Sequence, residues 1–92
     1  MCRIPKVVIV APTDRLADLR RTLSSIEYDI VASEEGADVA VVWEPDGAVL
    51  SRLRDAGLKT VAIGGSGDAD MTLPPDDVAS FKSRVWELFR PR

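Results

Sequence analysis

The side chains that could carry chemistry in this chain are few, and the missing types limit the options as much as the present ones. Its 92 residues include no histidine and a single cysteine, Cys2. Without histidine the commonest general base at neutral pH is lacking, which excludes hydrolytic triads of the Ser-His-Asp or Cys-His type. A lone cysteine builds neither an intramolecular disulfide framework nor a cysteine zinc cluster, and it fits a reducing compartment. One segment, Gly64-Gly65-Ser66-Gly67-Asp68, raises the question of phosphate, because backbone amides of a glycine-rich turn can form an anion nest. It matches neither the dinucleotide fingerprint nor the P-loop, and neither a lysine nor a helix start follows it. Its expected role is a flexible shortcut in place of a helix. Glu34-Glu35 reads as a solvated turn. These residues predict no catalytic group, no metal site and no cofactor.

Any site must be positioned by one small core. At 46% hydrophobic content the chain sits near the lower end of domains that fold alone, so residues 1–92 are expected to form a single domain. Twelve basic against fifteen acidic residues give a net charge of -3. With no basic stripe and few aromatics, direct nucleic-acid binding is not expected. Met1-Cys2-Arg3-Ile4-Pro5-Lys6 runs straight into a strand too short for a signal sequence or a membrane span, so the expected location is cytoplasmic, away from membranes.

Apolar runs alternate with amphipathic stretches, the pattern of a parallel sheet covered on both faces and hence of a three-layer α/β fold with about five strands. Lys6 to Ala11 is the first strand. Leu16, Leu19, Leu23 and Ile26 then recur on one helical face, with Thr13 or Asp14 placed to cap the first amides. Tyr28 to Ala32 is a short second strand, and only Ser33-Glu34-Glu35-Gly36 separates it from the stretch Ala37 to Trp43. A crossover between parallel strands normally takes about a dozen residues and a helix. The second helix of a regular doubly wound sheet is therefore missing, and the second strand is expected to be frayed, displaced or antiparallel. Asp46 caps a helix whose Val49, Leu50 and Leu53 face inward, and Gly57 stops it. Lys59 to Ile63 and Ala69 to Leu73 are the last strands, joined by the glycine-rich loop where a fourth helix would stand. Pro74-Pro75-Asp76-Asp77 opens a C-terminal helix with Val78, Phe81, Val85 and Leu88 on its buried stripe and Ala79, Trp86 and Phe89 on its flank.

The order of elements, the strand Asp38 to Trp43 followed by Glu44-Pro45, and the ending Ala69-Asp70-Met71-Thr72-Leu73-Pro74-Pro75-Asp76-Asp77-Val78 together resemble a response-regulator receiver (CheY-like) domain over nearly the whole chain. The resemblance implies a flavodoxin-like sheet in the order 2-1-3-4-5 with shortened or missing second and fourth helices. Receivers hold a magnesium ion on an acidic pair ending the first strand, and phosphorylate an aspartate ending the third. A hydroxyl ending the fourth strand and a lysine ending the fifth complete the pocket. Here those places fall on Ala11 and Pro12, on Trp43, on Gly64 or Gly65, and on Leu73, where a Leu-Pro step replaces Lys-Pro. Asp14, Glu44 and Ser66 are the nearest groups that could partly rebuild a metal site.

The resemblance thus implies a degenerate pseudo-receiver, a non-enzymatic signalling module that acts through protein contacts without aspartyl phosphorylation. Trp43 is expected to plug the vacated cleft. Trp86, Phe89 and Ala79 are the expected contact residues for a protein partner, another domain of a longer parent, or a second copy in a homodimer. A second likeness is local. Ala40 to Asp46, with Leu58 to Gly65 after a short helix, is similar to the flavodoxin-like substrate domain of D-2-hydroxyacid dehydrogenases. Lacking the dinucleotide fingerprint and that family's catalytic histidine and arginine, the chain would be at most a small-ligand-binding module or remnant.

Overall fold

The central strands, Lys6–Val10, Val39–Trp43 and Lys59–Ile63, are built from runs buried on both sides, whereas the outer ones alternate or are only half-covered, Thr72 of the last strand being exposed. A computed structural model describes residues 4–26, 28–65 and 69–89, the Phe89 side chain excepted. In chain order these form β1 (Lys6–Val10), α1 (Thr13–Leu23), β2 (Asp29–Val31), β3 (Val39–Trp43), α2 (Gly47–Asp55), β4 (Lys59–Ile63) and β5 (Met71–Leu73). They close with a C-terminal segment in which α3 (Phe81–Arg84) is flanked by 3-10 turns at Val78–Ser80 and Val85–Phe89. All pairings are parallel and the sheet order is β2-β1-β3-β4-β5, a flavodoxin-like α/β arrangement with few helices. Among the described residues no helix is long and apolar enough to cross a membrane.

Alternate strand residues serve two cores. Val7, Ile9, Val39, Val41, Val61, Ile63, Met71 and Leu73 pack toward α1 and the C-terminal segment, with Leu19, Leu23, Tyr28, Phe81 and Val85 filling that layer. Phe81 and Tyr28 meet edge to face with ring centroids 5.4 Å apart. On the other face Val8, Ala40 and Val42 pack with Leu53 of α2 and Leu58. The predicted stripe Val78, Phe81, Val85 and Leu88 is buried, although its segment is an irregular helix and not a continuous α-helix.

Helix α2 ends as its sequence dictates. Asp46 accepts a hydrogen bond from the Val49 amide at 2.9 Å, the N-cap bond that satisfies an orphan donor. At the other end Gly57 takes φ +91°, its amide donates to Arg54 O, and the Leu58 amide donates to Leu53 O. This is the Schellman pairing, completed by the burial of Leu58 and Leu53 in one cluster.

Helix α1 departs from expectation at both ends. Neither Thr13 nor Asp14 caps it; Pro12 occupies the N-cap without a side-chain bond, and its carbonyl accepts from the Arg15 and Leu16 amides. The helix stops at Leu23 because Ser24 turns extended and the Tyr28 hydroxyl donates back to the Leu23 carbonyl, taking up one of the carbonyls a helix end leaves open. Ile26, expected on the buried stripe, is consequently 96% exposed.

Both expected helix deletions are present. The connection from β2 to β3 is residues 32–38, which extended would reach roughly 23 Å, more than the roughly 17 Å length of a five-residue strand. A turn suffices to steer it. Glu34 O accepts from the Ala37 amide with Gly36 at φ +81°, and the Glu34 carboxylate takes a bidentate hydrogen bond from Arg52 of α2 at 2.6 and 3.1 Å. β2 is neither displaced nor antiparallel: Asp29, Ile30 and Val31 pair in parallel with Lys6, Val7 and Val8. Two aspartates extend the ladder beyond the strands. Asp38 accepts from the Lys6 amide at 2.9 Å. Asp70 accepts from the amide and hydroxyl of fully buried Thr60 at 2.8 and 3.2 Å, while its own amide donates to that hydroxyl.

Candidate functional site at the carboxyl ends of the strands

Parallel pairing brings the strands' carboxyl ends to one edge of the sheet. Ala11 and Pro12 follow β1, Trp43 ends β3, Gly64 and Gly65 follow β4, and Leu73 ends β5. The sequence-derived group is therefore gathered, yet its members do different jobs. Leu73 is fully buried in the larger core. Ala11, half-buried, packs against the same core, and Pro12 caps α1.

The two described glycines of the loop are a backbone crossing. The Glu44 amide donates to Ile63 O, and the Gly64 amide donates to Leu73 O. Gly64 and Gly65 take φ +67° and +71°. A Cβ at Gly65 would stand 2.9 Å from both Glu44 Cα and its carbonyl carbon, and one at Gly64 would meet the Pro75 ring at 3.1 Å. Glu44 itself has φ +44°, uncommon for a non-glycine residue and a sign that neighbouring packing fixes the turn. Gly65 is thus required by close approach to backbone, and both glycines suit their left-handed φ. Ser66, Gly67 and Asp68 lie outside the described residues.

Trp43 is half-buried and forms part of a cleft of about 290 Å³. Arg15, Asp18, Leu19 and Thr22 make one wall, the i, i+3, i+4, i+7 stripe of α1, and residues 75–79 make the other. The Arg15 guanidinium carbon lies 5.3 Å from the centroid of the Trp43 ring, within cation–π range. Three carboxylates, Asp18, Asp76 and Asp77, border the same space. This arrangement suits a flat or cationic group held against an indole.

Of the expected contact residues, Ala79 is exposed and lines the cleft, Trp86 is 45% exposed, and the Phe89 side chain lies outside the described residues. Asp14 and Glu44 are exposed, and among the described residues no three metal-ligating side chains converge. The electrostatic perturbation that stands out is remote. Hydrogen bonding from Arg52, helped by its charge and opposed by slight burial, holds the Glu34 carboxyl below its ordinary value, and Arg52 is correspondingly raised. Sequence reading missed Arg15, Asp18, Thr22, Asp76 and Asp77 as a group. The helical spacing of the first three, opposite a tryptophan ending a strand, was the available signal. No protein-family model matches this chain, and no curated protein or solved structure matches it.

Proposed function

We propose that this chain is a non-catalytic regulatory module of pseudo-receiver type, acting in the cytoplasm through contacts with a protein partner and independently of aspartyl phosphorylation. The observation that carries this reading is the end of β3. Trp43 stands there, half-buried beneath Arg15, in a sheet of receiver order. An indole offers no oxygen to accept a phosphoryl group, and Leu73, buried at the end of β5, offers no charge to neutralise one. Trp86, with nearly half its surface exposed, is the proposed contact anchor, since tryptophan is enriched at interface hot spots.

An NMR titration with Mg²⁺ and then beryllofluoride, the phosphoryl mimic, tests the reading. Amides near Ala11, Trp43, Gly65 and Leu73 should stay unmoved; localised, saturable shifts there would refute it. If the Trp86 face also carries self-association, Trp86→Ala lowers the mass measured by light scattering.

The cleft supports a second reading, a small-ligand-binding module. In open α/β sheets ligands bind outside the strand carboxyl ends where the strand order reverses. In the order β2-β1-β3 that point lies between β1 and β3, where Arg15 and Trp43 meet.

A further inference from the structure

The cleft at the β1/β3 reversal carries its own indication of what it binds. Its floor is an indole face that already holds a guanidinium, that of Arg15, 5.3 Å from the ring centroid. The indole quadrupole attracts cations, and tryptophan is the best of the aromatic faces for this. The walls add Asp18, Asp76 and Asp77 against the single positive charge of Arg15, so the lining is net negative. Among the described residues, none of these three carboxylates accepts a hydrogen bond or forms an ion pair. Arg15 is exposed in the first turn of α1, so its side chain can swing into solvent without disturbing the core. The volume of about 290 Å³ is near the lower limit for ligand pockets and equals about ten water-sized groups at ~30 Å³ each.

We propose that this cleft binds a small organic cation bearing a guanidinium or alkylammonium group, which stacks on Trp43 between the Asp18 and Asp76–Asp77 carboxylates after displacing Arg15. Arg15 is then a built-in competitor that keeps the aromatic face covered until the ligand arrives. The proposal rests on the small-ligand reading and is independent of the partner-contact reading.

The test is an NMR titration of the whole chain with agmatine at millimolar concentration, followed at the Trp43 indole N–H and the Asp76 and Asp77 amides. Indole, as a neutral aromatic, and inorganic phosphate are run in parallel. Saturable shifts with agmatine and none with phosphate are expected. Arg15→Ala, by removing the competitor, should tighten agmatine binding about three-fold. The surface pair Asp76→Asn with Asp77→Asn should weaken it about five-fold without affecting folding. Agmatine shifts that do not saturate, or an affinity indifferent to all three substitutions, overturn the proposal. Should indole bind and agmatine not, the cationic assignment fails while the small-ligand reading stands; if neither binds, both fail.

Discussion

Gly65→Ala tests the strand-end geometry at the point where it is tightest. The substitution meets two separate penalties. Left-handed backbone, here φ +71°, costs a residue with a Cβ about 1–2 kcal/mol. The new Cβ would also press on Glu44 Cα and carbonyl carbon at 2.9 Å and Pro45 N at 3.0 Å. These obstacles are backbone atoms of a turn already held at an unusual angle, so relief requires moving the β3-to-α2 connection, at about 1–3 kcal/mol. Restricted freedom of the unfolded chain returns about 0.4–1 kcal/mol. The net expectation is about 1–5 kcal/mol of destabilisation, centred near 3.

Gly36→Ala is the matched control. Its φ is +81°, but nothing lies within 4 Å of the added Cβ, so only the backbone penalty applies, about 1 kcal/mol or less after the unfolded-state offset. Equilibrium urea unfolding of both variants separates the two penalties, read as a shift in midpoint at constant m-value. Each kcal/mol should also lower Tm by about 4–8 °C in a domain of this size. Equal destabilisation of the two variants would refute the backbone crossing, whatever the absolute values.

Asp70→Ala removes the acceptor of the buried Thr60 amide and hydroxyl and should cost about 1–3 kcal/mol, with faster hydrogen exchange at the Thr60 amide; unchanged exchange would show that water replaces the carboxylate without loss. Phe81→Ala empties the centre of the larger core and the edge-to-face contact with Tyr28, with an expected loss of about 3–5 kcal/mol by urea unfolding; a loss under half that would mean the layer collapses around the gap. Because Arg52 depresses the Glu34 pKa, the ion pair's contribution is full above the unfolded carboxyl value of 4.5 and fades as pH falls through the lower folded value. The stability gap between the natural chain and Glu34→Gln should accordingly be present at neutral pH and vanish in acid, and a gap that persists in acid would exclude this origin.

The fold was legible wherever local chemistry and tertiary structure agree. β3 and β4 read as buried strands because both their faces are covered, leaving no polar alternation to mislead. Asp46 and Gly57 announce the ends of α2 because each supplies a bond or backbone angle that few residues can. Ile26 misled because its spacing continues the Leu16-Leu19-Leu23 stripe, while the event that ends α1, the Tyr28 hydroxyl reaching Leu23 O, is fixed by how Tyr28 packs on Phe81. Asp38 and Asp70 gave no signal, since an aspartate before a strand looks like any turn residue until the neighbouring strand's register is known. The site was legible in part for the same reason. Trp43 was marked by ending a strand, but a cleft between Arg15 and Asp77 exists only once α1 and residues 75–79 are packed side by side.

The two faces of the sheet are not packed equally, and the inequality bears on where a function can sit. The face toward α2 has the smaller core, the cluster around Val8, Ala40 and Val42. The Arg52–Glu34 contact that ties the short connection of residues 32–38 to α2 is exposed to solvent. The opposite face keeps α1 and the C-terminal segment, and with them Tyr28, Phe81 and the large aliphatic layer. Binding geometry is held best where supporting side chains are locked by packing. Both walls of the Trp43 cleft belong to elements of that well-packed face: Leu19 and Val78, which line the cleft, are also members of the core beneath it. The side of the sheet that keeps α1 and the C-terminal segment therefore supplies a packed frame for the Trp43 cleft.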